Sequence, residues 1–75
     1  MKPKDFVERL HAQPFRPFRL KLSDGQSFEV KHPEQMMVFS HKIILGIGGN
    51  ELGSFERDIH CSLLHVTSIE DTQTA

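Results

Sequence analysis

One stretch of the chain decides its fold: residues 18–30, FRLKLSDGQSFEV, where two alternating segments flank an Asp-Gly pair. Alternation of apolar and polar side chains with a period of two is typical of strands buried on one face. Residues 18–22 and 27–31 are therefore predicted to form two antiparallel strands joined by a tight turn.

The length of this turn decides which side chains share a face of the sheet. The Asp24-Gly25 pair suggests a two-residue turn, but that register would place Leu20 opposite Glu29 and bring a carboxylate to the core face. A three-residue loop, Ser23-Asp24-Gly25, instead places Leu20 opposite Phe28. Because a slip of one residue moves every side chain to the other face, we predict the three-residue loop.

The same register makes three further predictions about this hairpin. Phe18 should face Val30 in the core, and Arg19 should face Glu29 on the solvent side as a pair of opposite charges. Gly25 should adopt a left-handed backbone conformation, as the third residue of such loops usually does.

A short helix is predicted before this hairpin. Pro3 suits the first turn of a helix, where its missing N–H is no loss. The apolar residues Phe6, Val7 and Leu10 then share one helical face. The helix is predicted to end near Ala12, before a Gln-Pro pair that disfavours helical backbone.

Three further strands are predicted after the hairpin: Met36–Phe39, Ile43–Ile47 and one within Ile59–Ile69. The first is apolar throughout, which predicts burial on both faces or at an interface. In the last, alternation places Leu64 and Val66 on one face. The predicted fold class is α+β: a short N-terminal helix, then about five antiparallel strands forming a small curved sheet or half-open barrel.

Length and composition favour one small domain over residues 1–70, with a frayed polar tail at 71–75. A chain of 75 residues buries a limited core, so self-association is expected on grounds of stability. The single cysteine, Cys61, excludes a disulfide within the chain and is typical of a reducing compartment. The residues contain no apolar stretch of signal-peptide or membrane-spanning length, so a cytoplasmic protein without membrane contact is expected.

No motif in the chain predicts a catalytic, cofactor-binding or metal-binding residue. The segment Gly48–Asp58 is predicted to be a long irregular loop, and a dinucleotide fingerprint starting at Gly46 would need glycine where Glu51 stands. Cys61 and His65 share a face by parity but would lie about 13 Å apart on an extended strand. That separation is too large for a joint metal site or a Cys–His nucleophilic pair.

A basic and aromatic cluster at residues 14–21 carries the one candidate for nucleic-acid contact. Arg16, Arg19 and Lys21 could neutralise phosphates beside aromatic side chains. The competing interpretation is that the phenylalanines anchor the helix on the sheet while the cations stay solvated. The net charge of −1 favours that second interpretation and disfavours nucleic acid as a partner.

The chain resembles two groups of known proteins. The segment 13–19, QPFRPFR, with Asp24-Gly25, the HPE segment at 32–34 and the closing LLHV at 63–66, resembles a family of short bacterial proteins with no assigned function. A helix followed by five strands also resembles the Sm-like and SH3-like small barrels, of which the Sm-like proteins bind RNA as rings. This chain departs from them because it has no second Sm motif and its long loop precedes the last predicted strand.

The predicted function is a non-enzymatic binding or interaction module, as a homo-oligomer or with a protein partner, joined through sheet edges or residues 36–39. One alternative is an RNA-binding Sm-like module that uses Arg16, Arg19 and Lys21. The other is an enzyme in which the long loop and His60 or His65 supply groups to a site completed by a partner chain. No cofactor is predicted for any of the three.

Overall fold

The computed structural model describes residues 1–49 and 54–72. They form one helix, α1 (Pro3–Leu10), and six strands: β1 (Phe18–Leu22), β2 (Ser27–Val30), β3 (Met36–Val38), β4 (Lys42–Ile47), β5 (Arg57–Ser62) and β6 (Val66–Asp71). Short 3₁₀ turns at Pro33–Gln35 and Leu63–His65 precede β3 and β6. The α+β class is confirmed.

The strands form two three-stranded antiparallel sheets, in the orders β2-β1-β6 and β3-β4-β5. The predictions of about five strands and of a single curved sheet were therefore wrong. Within the part of the chain that the structure describes, β2, β3, β5 and β6 each pair with one strand, so the sheets do not close into a barrel.

The hairpin of β1 and β2 has the predicted register. Leu20 is opposite Phe28, and the amide of Leu22 donates to the carbonyl of Gln26 at 2.8 Å, closing the three-residue loop. Gly25 has a φ of 91°, in the left-handed region that favours glycine. This part of the prediction is confirmed.

The segment predicted to hold a fifth strand holds two strands, one in each sheet. The chain leaves the β3-β4-β5 sheet at Ser62, whose hydroxyl accepts the amide of Leu64 at 3.2 Å and starts a 3₁₀ turn. This turn breaks the alternation, so Leu64 is 90% exposed although Val66 is buried. The prediction that the two share a face was wrong for that reason.

A second break separates β2 from β3, and the side chain of Gln35 holds it together. Its Oε1 accepts the amides of Lys31 at 2.7 Å and His32 at 3.2 Å. Its Nε2 donates to the carbonyls of Glu29 and Gly46, each at 3.2 Å. One amide group thereby satisfies four backbone groups where the chain passes from one sheet to the other.

The core lies between the two sheets and under the helix. Its buried side chains are Phe6, Phe18, Leu20, Val30, Met36, Ile43, Leu45, Cys61, Leu63 and Val66. The helix is shorter than predicted, ending at Leu10 where the amide of His11 still bonds the carbonyl of Val7. Arg9 pairs with Asp71 and lies 5.7 Å from the ring of Phe18, which fastens the last turn of α1 to β6 and β1.

The predicted tail at 71–75 and the predicted loop at Gly48–Asp58 lie only partly within the described residues. β6 continues through Asp71, and Thr72 bonds the carbonyl of Pro17 through its amide and its hydroxyl, each at 3.3 Å. Residues 73–75 of the predicted tail, and residues 50–53 of the predicted loop, lie outside the described residues. β5 already begins at Arg57, so the last two residues of the predicted loop, Arg57 and Asp58, belong to a strand.

Candidate functional site

The outward side of the β3-β4-β5 sheet carries exposed apolar side chains. Met37 on β3 is opposite Ile44 on β4, which is opposite His60 on β5, so these three form one row across the sheet. Their neighbours along the strands, Met36 and Ile43, point into the core. Alternation along each strand therefore turns this row toward solvent.

Two phenylalanines add apolar surface on either side of this row, along the direction of the strands. Phe39 follows β3 and is 38% exposed, and Phe55 precedes β5 and is 36% exposed. Met37 between them is 58% exposed. We call this set of side chains, Met37, Phe39, Ile44 and Phe55, the outer apolar face.

Gly46 gives Phe55 its position on this face. A β-carbon placed on Gly46 would lie 2.6 Å from two carbons of the Phe55 ring, so the ring rests directly on the β4 backbone. Any side chain at position 46 would have to displace it. Glycine inside a strand often marks such a close approach.

One end of the outer apolar face is a groove with acidic walls. The groove has a volume of about 390 Å³, and Phe55 and Gly46 contribute to its lining. The charged residues that line it are Glu34, Glu56, Arg57 and Asp58, three acidic against one basic. This end of the face therefore carries net negative charge.

The opposite end of the face is basic. Lys42, at the start of β4, holds its ammonium 5.5 Å from the centre of the Phe39 ring, within the range of a cation–π contact. Gly46 follows Lys42 by four positions, which corresponds to about 13 Å along an extended strand. The face thus has opposite charges at its two ends.

Asp58 and His60 form a hydrogen bond at the margin of this face. Oδ2 of Asp58 lies 2.8 Å from Nε2 of His60, two residues along β5. The hydrogen bond with His60 lowers the pKa of Asp58 from its ordinary value, and the amide of Asp58 adds to the shift. Ser62 is next on this side of β5. Its hydroxyl accepts the amide of Leu64 and forms no hydrogen bond with His60, so an Asp-His-Ser set is not assembled from these three described residues.

The cysteine and the histidine considered for metal or nucleophilic chemistry occupy different surroundings. Cys61 is buried, and desolvation, with a smaller contribution from the negative charge of Asp24, raises the pKa of its thiol. Nδ1 of His65 lies 3.3 Å from the hydroxyl of Ser23. The 3₁₀ turn also removes the extended strand on which the predicted separation of Cys61 and His65 rested.

The three cations predicted to contact nucleic acid lie in or beside β1, and two of them are paired. Nη2 of Arg19 is 3.0 Å from Glu29, and Nζ of Lys21 is 3.1 Å from Glu70. Arg16 precedes the strand and lines a shallow cavity with Arg9 and other residues. The carboxylates across the sheet therefore offset the charge of Arg19 and Lys21.

The outer apolar face does not follow from the sequence patterns. They predict a buried or interfacial strand at Met36–Phe39, and they place Asp58 in a loop rather than beside His60 on a strand. The spacing of Asp58 and His60 was a usable signal, because residues two apart on a strand share a face. Nothing in the local sequence places Phe55 on Gly46.

The described residues contain no metal site and no membrane-spanning helix, and the comparisons with known proteins give no match. Among residues 1–49 and 54–72, no three side chains of His, Cys, Asp or Glu gather in a way that could hold a metal ion. Over the same residues, no helix has the length and apolar character needed to cross a membrane. No protein-family model, no curated protein and no solved structure matches the chain.

Proposed function

We propose that this protein is a small non-enzymatic interaction module that binds a protein partner through its outer apolar face. The observation that carries the proposal is the exposure of Met37, Phe39 and Phe55 together on one side of one sheet. Single exposed apolar residues are ordinary, but a contiguous apolar patch with a charged rim is typical of protein contact surfaces. Burying these side chains against a partner is favourable by about 25 cal/mol per Å².

The polar groups near the face support binding rather than catalysis. His60 is hydrogen-bonded to Asp58, and the Ser62 hydroxyl accepts the amide of Leu64. No hydrogen bond joins these described residues His60 and Ser62, so the contact between base and nucleophile that nucleophilic catalysis uses is not formed. The acidic and basic groups stand at the two ends of the outer apolar face, where rim charges select and orient a partner.

The Sm-like alternative has weaker support from the same geometry. RNA binding would use Arg16, Arg19 and Lys21, and the last two are offset by carboxylates at hydrogen-bond distance. The half-open barrel likewise stays a prediction. A salt-dependent oligonucleotide titration tests this alternative, since neutralising phosphates gives binding that weakens steeply with salt.

Site-specific photo-crosslinking tests the proposal with a matched control inside the chain. A benzophenone side chain replaces Met37 on the face in one variant and Leu64 in another, because Leu64 is apolar and 90% exposed but lies on the 3₁₀ turn between β5 and β6 and is not part of the outer apolar face. We expect illumination in cells to give an adduct of discrete mass from position 37 and none from position 64. Mass spectrometry then identifies the attached chain.

A second substitution ties the adduct to the face itself. Ile44→Asp places a charge in the centre of the apolar row and should abolish the adduct from position 37, while circular dichroism shows that the fold is retained. The proposal fails if position 37 gives no discrete adduct, if position 64 gives the same one, or if Ile44→Asp leaves it unchanged.

A further inference from the structure

The charges on the outer apolar face are arranged so that the face complements itself. Glu34 and Glu56 stand at the Phe55 end, and Lys42 stands at the Phe39 end, on either side of the row that runs from Met37 to Ile44. Among the residues that the structure describes, Glu34 and Lys42 form no ion pair. Both charges are therefore available to a partner.

We propose that the partner covering this face is a second copy of the chain, packed face to face around a twofold axis parallel to the Met37–Ile44–His60 row. This inference rests on the proposed function and names its partner. Rotation by 180° about that axis reverses the strand direction. It places the Glu34 end of one protomer over the Lys42 end of the other.

Twofold symmetry makes each contact on the face occur twice. Such an interface is isologous, meaning that the same patch meets itself and must be self-complementary. Met37 and Ile44 lie beside the axis and meet their own copies, apolar against apolar. The Glu34–Lys42 contact then occurs once on each side of the axis. A symmetric dimer therefore needs both charges on the same face, whereas a complex of two unrelated proteins does not.

The size of the face sets the expected strength of this dimer. Three strands at about 4.8 Å spacing and six residues at about 3.4 Å give a footprint of roughly 14 by 20 Å. That footprint, about 300 Å², is smaller than the roughly 800 Å² per partner of standard stable complexes. The dimer is therefore weak, and its dissociation constant belongs in the micromolar to millimolar range.

Sedimentation equilibrium from 10 µM to 1 mM protein (roughly the range that such a weak dimer demands) tests the inference directly. Ile44→Asp should abolish self-association over this range. Glu34→Lys and Lys42→Glu should each weaken it about tenfold, because each variant places two like-charge pairs in the symmetric interface. The double variant Glu34→Lys/Lys42→Glu restores opposite charges and should return to within about threefold of the natural chain.

Charge-matched controls lie on the exposed side of the helix. Lys4→Glu and Glu8→Lys make the same changes in net charge, on residues that pair with each other at 3.7 Å and lie off the face. They should leave the dissociation constant unchanged. If they weaken self-association as much as the face variants do, general charge repulsion explains the effect and the inference is overturned.

Three results bear differently on this inference and on the proposed function. A chain that stays monomeric to 1 mM (about the upper limit for a weak dimer), while position 37 crosslinks to a different protein, overturns the second copy and leaves the interaction module standing. A monomer with no discrete adduct at position 37 overturns both. A dimer whose dissociation constant is not restored by the double variant Glu34→Lys/Lys42→Glu overturns the symmetric arrangement.

Discussion

Arg19 and Glu29 lie directly across from each other on β1 and β2, with Nη2 of the arginine 3.0 Å from Oε1 of the glutamate. Both side chains are partly exposed, so the pair itself contributes at most about 1 kcal/mol. Its position is more informative than its energy. Only the register that joins these two charges also places Leu20 and Phe28 on the same face of the sheet.

Gly25→Val should lower the free energy of unfolding by about 1–2 kcal/mol or more, because valine is strained at the left-handed backbone conformation that closes this hairpin. A β-carbon on Gly25 would meet nothing within 4 Å, so the loss comes from backbone conformation and not from a clash. Urea unfolding measures it. Gly25→Asn should lower the free energy of unfolding by less than Gly25→Val does, because asparagine tolerates this conformation.

Gln26→Val is the matched control at the next position. Gln26 is exposed and its φ is not positive, so valine there should change stability by less than about 0.5 kcal/mol. Equal losses at positions 25 and 26 would be inconsistent with the three-residue loop.

The hairpin could be predicted from sequence because all its determinants are local. Alternation and the charges of Arg19 and Glu29 agree on one register, and together they outweigh the two-residue turn that the Asp-Gly pair suggests. The break between β5 and β6 has no such local signature, since residues 61–66 still read as a strand. It depends on the Ser62 hydroxyl and on a bond from the amide of Leu63 to the carbonyl of His41, which is distant in sequence.

The outer apolar face could not be predicted for a related reason. Its row of side chains exists because β3, β4 and β5 pair in one register, and apolar strand residues do not reveal which side a second sheet will cover. Met36 and Met37 are chemically identical neighbours in the sequence. Met36 is buried and Met37 is exposed only because the second sheet covers one side of β3.

Gln35→Glu should destabilise the protein at neutral pH by about 1–3 kcal/mol. The new carboxylate can still accept the amides of Lys31 and His32, but it places an unprotonated oxygen against the carbonyls of Glu29 and Gly46. Urea unfolding at pH 7, compared with the natural chain, measures the loss.

The pH dependence of that loss identifies the missing donor. Folding disfavours the charged form of the new carboxylate, so its pKa in the folded state should rise above the unfolded value of about 4.3. Below the unfolded pKa the protonated carboxyl group can donate one hydrogen bond, so the loss of stability relative to the natural chain is smaller. The loss grows as pH rises through the folded pKa. Gln35→Met, which removes all four bonds, should show a deficit that does not vary with pH.

The effect of Gly46→Ala on the free energy of unfolding should change sign according to which residue occupies position 55. In the natural chain the new methyl would overlap the ring of Phe55, so stability should fall. In a Phe55→Ala background the overlap is gone, and alanine should stabilise the strand by about 0.5–1 kcal/mol because glycine is the more flexible residue when unfolded. Thermal or urea unfolding of the natural chain, the two single variants and the double variant gives the coupling free energy between positions 46 and 55. A coupling near zero would contradict the packing of Phe55 on β4.

Cys61 should make the protein less stable as the solution becomes alkaline. Burial raises the pKa of its thiol, so the folded state holds the proton over a pH range in which the unfolded chain, with a pKa of about 8.5, releases it. The contribution is fully present below the unfolded pKa and is lost as pH rises through the folded pKa. Lysines titrate in the same range, so the effect must be isolated by difference.

Cys61→Ala provides that difference, because it removes the thiol and keeps every other titrating group. Its stability relative to the natural chain should be lowest at pH values below the unfolded pKa of about 8.5, where the natural chain gains most from the buried thiol, and the gap should narrow as pH rises above that value. Urea unfolding at each pH measures the gap. A gap that stays constant, or a thiol that reacts with a disulfide reagent as fast in the folded protein as in urea, would contradict a buried Cys61 with a raised pKa.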